Sequence, residues 1–196
     1  MITMMAIGRY IGRLDARVFL CAGFALTSLS LYWMTGFSLG VDERDIVLSG
    51  ILQGVGLGLI WVPMTAVAFS TLKPERRTEA AGIFSLMRNI GASAGIAIVA
   101  ALLDRSTQIN HAELAASITR DNPLFRLPFY QHLWDLHAPA GLAALNAELT
   151  RQAAMIGYLN DYRLLMILGL VGLPLVFLIS GPKRSAAPEE AAAVMD

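Results

Sequence analysis

The chain has 196 residues, of which 56% are hydrophobic and 15% are charged, and its formal net charge at pH 7 is zero. A net charge of zero gives the chain no overall basic character, which argues against nucleic acid as a partner. The single cysteine, Cys21, excludes an intramolecular disulfide framework and a thiolate metal cluster, so neither a cofactor nor a metal is expected.

Residues 1–17 are predicted to form the end of a preceding helix and a cytoplasmic loop. Four apolar runs follow, each close to the roughly 20 residues that a helix needs to cross a bilayer. The runs cover residues 18–40, 46–72, 80–103 and 164–181. They predict an all-α integral membrane protein with four transmembrane helices. Three of the runs hold no Asp, Glu, Lys, Arg or His, and the third run carries Arg88.

Basic side chains flank alternate ends of the runs, and basic loops stay on the cytoplasmic side of a membrane. The basic residues that decide the orientation are Arg9, Arg13, Arg17, Lys73, Arg76, Arg77, Lys183 and Arg184. We therefore expect both termini in the cytoplasm and residues 104–163 as a long external loop. Within this loop, the spacing of residues 110–120 and 139–158 predicts two surface helices with an aromatic-rich link between them. Residues 182–196 are expected to be a disordered cytoplasmic tail.

Small residues mark the second and third runs. Gly50, Gly54 and Gly58 recur at four-residue spacing in the second run, and Gly91 and Gly95 do so in the third. This spacing lines one helix face and lets another backbone approach closely. Tight packing alone would explain it, and so would faces that slide while a transporter alternates its access. Pro63 follows the second run's glycines and should bend that helix.

Arg88 is the polar residue that most needs an explanation. Counted from Ala80, it lies about 12 Å along the third helix, and a charge inside a bilayer is costly unless it reaches the surface or faces a polar cavity. Snorkelling or an ion pair is one interpretation, and a substrate route is the other. We expect Arg88 to face the protein interior, and Gln53 is a second polar candidate. No Asp or Glu lies in any run, so the spans lack the carboxylate that proton coupling usually uses.

The most specific string precedes the first run. Its candidate residues for a cytoplasmic gate loop are Gly8, Arg9, Gly12, Arg13, Asp15 and Arg17. Glycine permits a tight turn, and the charged side chains can pair with helix ends across a closing gate. A basic anchor that only orients the helix would have the same charges.

These motifs resemble a known family. The Gly-Arg-x-x-Gly-Arg-x-Asp-x-Arg segment resembles the cytoplasmic loop signature of the major facilitator superfamily. The glycines of the second run with Pro63, the segment 73–77, and the string from Arg88 to Gly95 resemble the EmrB/QacA-type drug:proton antiporters. The stretch 152–162 is similar to the lead-in of that family's last helix. The candidates for a substrate pathway or for helix packing are Gln53, Gly54, Gly58, Pro63, Arg88, Asn89, Gly91 and Gly95.

The resemblance covers nearly the whole chain except the tail and implies the last four helices of a fourteen-helix carrier, not an enzyme. It implies a C-terminal fragment of a multidrug efflux transporter in a bacterial inner membrane, inactive alone. The intact carrier would exchange protons for amphipathic or cationic compounds by alternating access. The implied partners are the lipid bilayer, the missing N-terminal helices, small amphipathic substrates and a periplasmic adaptor. A stand-alone four-helix membrane scaffold or assembly protein is the alternative.

Overall fold

The computed structural model describes residues 15–70, 72–118, 134 and 138–178. In this part of the chain the regular elements are four α-helices and one short 3-10 helix, with no strand. The α-helices are α1 (Ala16–Met34), α2 (Glu43–Ser70), α3 (Arg77–Ala116) and α4 (Pro139–Leu178), and the 3-10 helix is Pro74–Arg76. All four α-helices are long and apolar enough to cross a membrane, which confirms the predicted all-α membrane fold.

The helices form a row in which α1 lies between α2 and α4, and α3 packs against α4. We call the end at which α1 begins and α2 ends the basic end, because Arg17, Arg76 and Arg77 lie there. The opposite end is the outer end. The short connection before α3 is closed by Arg77, whose Nε donates a 3.3 Å hydrogen bond to the carbonyl of Leu72.

Helices α3 and α4 are much longer than a membrane span. Each has 40 residues, which gives about 60 Å at 1.5 Å per residue, twice the roughly 30 Å of a hydrocarbon core. The segments predicted as surface helices are helical over residues 110–116 and 139–158, and they continue the spans without a break. No proline or glycine interrupts residues 104–116 or 158–164, so nothing in the sequence ends these helices at the membrane surface.

The outer parts of these helices, residues 104–118 and 139–163, are called the outer hairpin. Polar pairs join its two arms. Asn160 Nδ2 donates a 3.2 Å hydrogen bond to Ser106 Oγ, and a 3.0 Å hydrogen bond joins His111 Nε2 to Asn146 Oδ1. A Cβ atom placed on Gly157 would stand 3.0 Å from Leu103 Cδ1. The two arms are therefore in direct contact beyond the predicted third span.

The outer hairpin also carries an exposed ion pair on α4. Arg151 Nε and Nη2 each donate a 3.0 Å hydrogen bond to the carboxylate of Glu148, and Gln152 donates a third at 2.9 Å. Residue 148 is about 45 Å along the helix from Leu178, well outside the membrane-spanning part. The hydrogen bonds from Arg151 and then Gln152 hold the pKa of Glu148 below its ordinary value of 4.5.

The bundle has a small interior and an apolar exterior. The buried hydrophobic residues that the structure describes are Leu20, Leu31, Leu145, Leu149, Ala153 and Val176. Many large apolar side chains on all four helices are exposed instead. In water that exposure would cost roughly 25 cal/mol per Å² of apolar surface, whereas lipid tails solvate it. The surface is that of a protein surrounded by a bilayer.

Several predictions lie outside the described residues. These are the preceding helix and the gate-loop residues Gly8, Arg9, Gly12 and Arg13, the aromatic-rich link between the arms of the outer hairpin apart from Trp134, and the tail 182–196.

Candidate functional site

Helices α1 and α2 approach each other closely at two glycines. A Cβ atom on Gly56 would stand 2.9 Å from the backbone nitrogen of Thr27, and one on Gly23 would stand 2.8 Å from the carbonyl oxygen of Gly56. Helix backbones can approach this closely because glycine has no side chain. The hydroxyl of Ser30 donates a 2.7 Å hydrogen bond to the buried carbonyl of Ser49 across the same contact. These interactions fix α1 on α2.

Helix α4 holds the other side of α1. A Cβ atom on Gly169 would stand 2.6 Å from Ser28 Oγ, and one on Gly172 would stand 2.8 Å from Phe24 Cε1. Ser28 is only 3% exposed. We call the contacts of α1 with α2 and with α4 the packed seam. Its helices leave no room for an additional side chain at these glycines.

Two of the three glycines predicted to line one face of α2, Gly50 and Gly54, do not pack on α1. Nothing lies within 4 Å of a Cβ atom placed on Gly50 or Gly54. Gly58 and Pro63 are buried, and Gln53 is half-buried. The structure therefore separates the candidates of this helix into buried residues and residues on an open side.

Sequence reasoning missed the glycines of the packed seam. Gly56 lies between Gly54 and Gly58, outside the four-residue series, so the spacing predicts no contact for it. The available signal was in α1, where Gly23 and Thr27 are small residues four positions apart. Reading α1 for the same spacing as α2 would have found the pair.

The membrane part of α3 is uncovered. No residue of this helix is buried, and nothing lies within 4 Å of a Cβ atom on Gly91 or Gly95. Arg88 and Asn89 are exposed as well. The exposed sides of α2 and α3 form what we call the open face, which comprises Gly54, Leu57, Trp61, Arg88, Gly91 and Gly95.

An arginine and a tryptophan meet on the open face. The Arg88 guanidinium carbon lies 5.2 Å from the centroid of the Trp61 ring, within the range of a cation–π interaction. Closer to the basic end, about one turn along α3 and two turns along α2, the rings of Phe69 and Phe84 meet edge to face at 5.5 Å. These two side-chain contacts join α2 and α3, which do not otherwise pack closely on each other. Trp61 was not among the predicted residues, because the sequence gives no register between two helices.

The pair lies deep in the span. Arg88 is 11 residues from the start of α3, about 17 Å along the axis, and Trp61 is about 14 Å from the end of α2. A central arginine costs about 2.5–3.5 kcal/mol on an insertion scale, and a cation–π contact returns about 0.5–2 kcal/mol. The one ion pair among the described residues joins Arg151 to Glu148. Trp61 therefore offsets only part of the cost, and Arg88 keeps an unmatched charge within this part of the chain.

Two predicted gate residues can be described. Asp15 directly precedes α1, with its backbone carbonyl accepting a 3.0 Å hydrogen bond from Val18 N, and it is exposed. Arg17 is half-buried, and its Nε is enclosed without a hydrogen-bond partner in the described chain. The two residues lie at the basic end, away from the open face.

A buried carboxylate was missed near the outer end. Asp161 is 6% exposed on α4, next to Asn160, which bonds Ser106 on α3. The signal was its spacing, because Ala153, Gly157 and Asp161 are four residues apart and all lie on the buried side of α4. The described residues contain no group of three or more His, Cys, Asp or Glu that could hold a metal ion.

Comparison with known proteins agrees with this architecture. The family model described as "Major Facilitator Superfamily" matches residues 1–131. No solved structure matches the chain significantly.

Three curated relatives align along most of the chain. The "Fatty acid resistance protein FarB" of Neisseria gonorrhoeae is 26% identical over 91% of this chain and 36% of its own length. The "Probable multidrug resistance protein EmrY" of Escherichia coli is 25% identical over 90% and 35%. The "Multidrug export protein EmrB" of Haemophilus influenzae is 24% identical over 90% and 35%. The chain thus spans about a third of the length of these relatives. With the family model covering well over half of its residues, the chain belongs to the major facilitator superfamily.

Proposed function

We propose that the chain is the C-terminal part of a multidrug efflux transporter that exchanges protons for amphipathic compounds by alternating access. Two of the relatives above carry multidrug resistance or export in their names. They align with about 90% of this chain over about 35% of their own length. These matches favour a carrier over a stand-alone membrane scaffold.

The open face is the observation that carries the proposal. A helix with glycines at four-residue spacing, an arginine and no buried residue is suited to contact further protein surface. In the proposed carrier, the missing N-terminal helices face α2 and α3, and the substrate passes between the two halves near the midplane. Gln53, Asn89 and Arg88 would then be polar groups of that pathway.

The charge of Arg88 restricts the substrate class. An amphipathic compound with an acidic group would supply the counter-charge that the described chain lacks, while its apolar part would lie on Trp61. The gonococcal relative is named for fatty acid resistance, and a fatty acid has this chemistry. A cationic compound would instead require a carboxylate from the missing helices to neutralise Arg88 first.

The proposed setting is a bacterial inner membrane with both termini in the cytoplasm, as the basic end favours. The outer hairpin would then extend on the periplasmic side, where an adaptor protein is the proposed partner. Its exposed polar residues suit contact with water and with such a protein.

Function can be tested by comparing the chain with a longer product. We expect the gene to continue in frame upstream of the codon for Met1. Vesicles that contain the 196-residue chain alone should show no dye extrusion under a pH gradient, whereas vesicles with the longer product should show it. Extrusion by the chain alone, or a gene without such a continuation, would contradict the proposal.

The substrate class can be tested in the longer product with Arg88→Gln and, as the control that keeps the charge, Arg88→Lys. Loss of efflux of an acidic amphiphile in R88Q, with partial retention in R88K, is the expected result. Equal losses in both variants would mean that the charge of Arg88 is not what the substrate requires.

A further inference from the structure

An apolar crevice lies among α1, α2 and α4, toward the basic end. Its volume is about 170 Å³. Six of the residues that line it are Leu20, Phe24, Ile60, Met64, Gly172 and Val176. The crevice lies apart from the open face.

The chemistry of the crevice selects an apolar occupant. A dry cavity of about 150 Å³ lined by aliphatic and aromatic side chains stays free of water and takes up apolar molecules. Gly172 is essential to the shape, since a Cβ atom there would stand 2.8 Å from the Phe24 ring. The crevice is open on one side, where the lining residue Leu175 is 55% exposed.

The depth of the crevice fits one leaflet. Leu20 and Phe24 lie about 6 and 12 Å along α1 from Ala16, and Met64 lies about 9 Å from the end of α2. All of these distances are within half of a hydrocarbon core of roughly 30 Å. An occupant would therefore be apolar over this depth and would reach the membrane surface near the start of α1.

A cation stands at that surface on the same side of α1. Arg17, Leu20 and Phe24 are spaced i, i+3 and i+7, which places them on one helix face. Helical side chains lean toward the N-terminus, so Arg17 leans from the crevice toward the headgroup layer. Its Nε is enclosed and lacks a hydrogen-bond partner within the described residues. The Nε is covered by the protein, so a phosphate oxygen would bind the terminal Nη1 and Nη2 groups of this half-buried side chain.

We propose that this site binds an anionic phospholipid, with one acyl chain in the crevice and the phosphate on Arg17. The inference does not depend on the transport function proposed above, because it involves neither the open face nor any substrate. A phospholipid of the adjacent leaflet combines the two features that the site requires, an apolar chain and an anionic group at the level of Arg17. The site would hold α1, α2 and α4 together from outside the bundle.

The experiment uses the full chain in nanodiscs of phosphatidylcholine with a small amount of photoreactive phosphatidylglycerol, whose acyl chain carries a diazirine. Cross-links mapped by mass spectrometry should concentrate on the crevice residues. A matched photoreactive phosphatidylcholine should give about fivefold fewer, the ratio expected when one basic residue attracts an anionic lipid.

Two variants with matched controls separate the two parts of the site. Arg17→Gln should abolish the preference for phosphatidylglycerol, whereas Arg76→Gln, an exposed arginine at the same end, should keep it. Leu175→Trp should block the opening and remove most cross-links of both lipids. Leu170→Trp, which replaces another exposed leucine of α4 at 46% exposure, should not. The exposed positions of both tryptophan variants keep folding unaffected, which circular dichroism checks.

Three results would overturn the proposal. Cross-links spread evenly over the exposed helix surfaces would show that there is no site. An equal preference in R17Q and R76Q would remove the role of Arg17. Displacement of the lipid cross-links by an added amphipathic dye would assign the crevice to a transported compound instead.

Discussion

Glycines have opposite surroundings in two regions of this molecule. In the packed seam, Gly23 and Gly56 each lie against the backbone of the neighbouring helix. On the open face, Gly91 and Gly95 have nothing within 4 Å of an added Cβ. Both regions are small-residue positions in apolar helices, so the local sequence does not distinguish them. The difference comes from the presence or absence of a neighbouring helix in the described chain.

The comparison shows what small-residue spacing can and cannot establish. The spacing marks a helix side that a second backbone can approach closely. It does not show whether a second helix of the same chain takes that place. In a bilayer the distinction matters energetically, because lipid fills an open side at little cost while a filled seam cannot accept a larger side chain.

The largest expected effect is on the seam itself. Gly56→Leu should lower the free energy of unfolding by about 3 kcal/mol, the upper part of the range for overpacking, because the new side chain meets Thr27. Denaturant titration in mixed micelles measures the loss. The matched control Gly54→Leu lies on the open face of the same helix and should change stability by less than about 0.5 kcal/mol. Equal losses would mean that the two regions do not differ in packing.

The next effect concerns the hydrogen bond across the seam. Ser30→Ala removes the donor to the buried carbonyl of Ser49 and should cost about 1 kcal/mol. Ser93→Ala is the control, because Ser93 donates to the carbonyl of Asn89 within its own exposed helix turn. The same titration should show no measurable change for S93A. A loss in S93A as large as that in S30A would contradict the distinction between seam and open face.

A smaller effect is expected for the contact on the open face. A double-mutant cycle of Arg88→Gln and Trp61→Leu should give a coupling of about 0.5–1 kcal/mol, the value of an exposed cation–π contact. The cycle is measured by unfolding of the chain alone. Additive effects of the two substitutions would show that the ring and the guanidinium do not interact.

The smallest expected effect is a pH dependence of stability that the outer hairpin has and the seam lacks. The hydrogen bonds of Arg151 and Gln152 hold the pKa of Glu148 below 4.5, so their contribution is present above that pH. It is lost as the pH falls through the lowered pKa. Thermal unfolding of the wild type should therefore lose a small increment in this range relative to Glu148→Gln. The seam contacts at Gly56 and Ser30 involve no titrating side chain and should not respond to this change of pH. An identical acid response in the wild type and in E148Q would show that the ion pair of Glu148 and Arg151 does not contribute to stability.

The membrane fold could be predicted because the apolar runs are long and bounded by charges. The outer boundaries of these helices, where α3 ends and α4 begins, could not be predicted in the same way. For α3, hydropathy falls near Asp104 while the helix continues to Ala116. A helix ends where its backbone hydrogen bonding ends, and the sequence shows no proline or glycine there. The boundary between lipid and water and the boundary of a helix are different properties of the chain.

Part of the candidate site was also accessible from sequence. Arg88 stands out because it is a charge in an apolar run. Its contact with Trp61 depends on the register of two antiparallel helices, which no pattern within one helix specifies. Asp161 shows the reverse case, because its spacing from Gly157 predicts burial although its charge suggests a loop.

The uninterrupted length of α3 has a mechanical consequence. Residues on the open face and residues in the outer hairpin belong to one rigid rod about 60 Å long, so any tilt within the bilayer swings the tip through the same angle. A protein bound to the tip would restrict that tilt. Movement of α3 in the membrane and binding at its outer end would therefore be mechanically coupled.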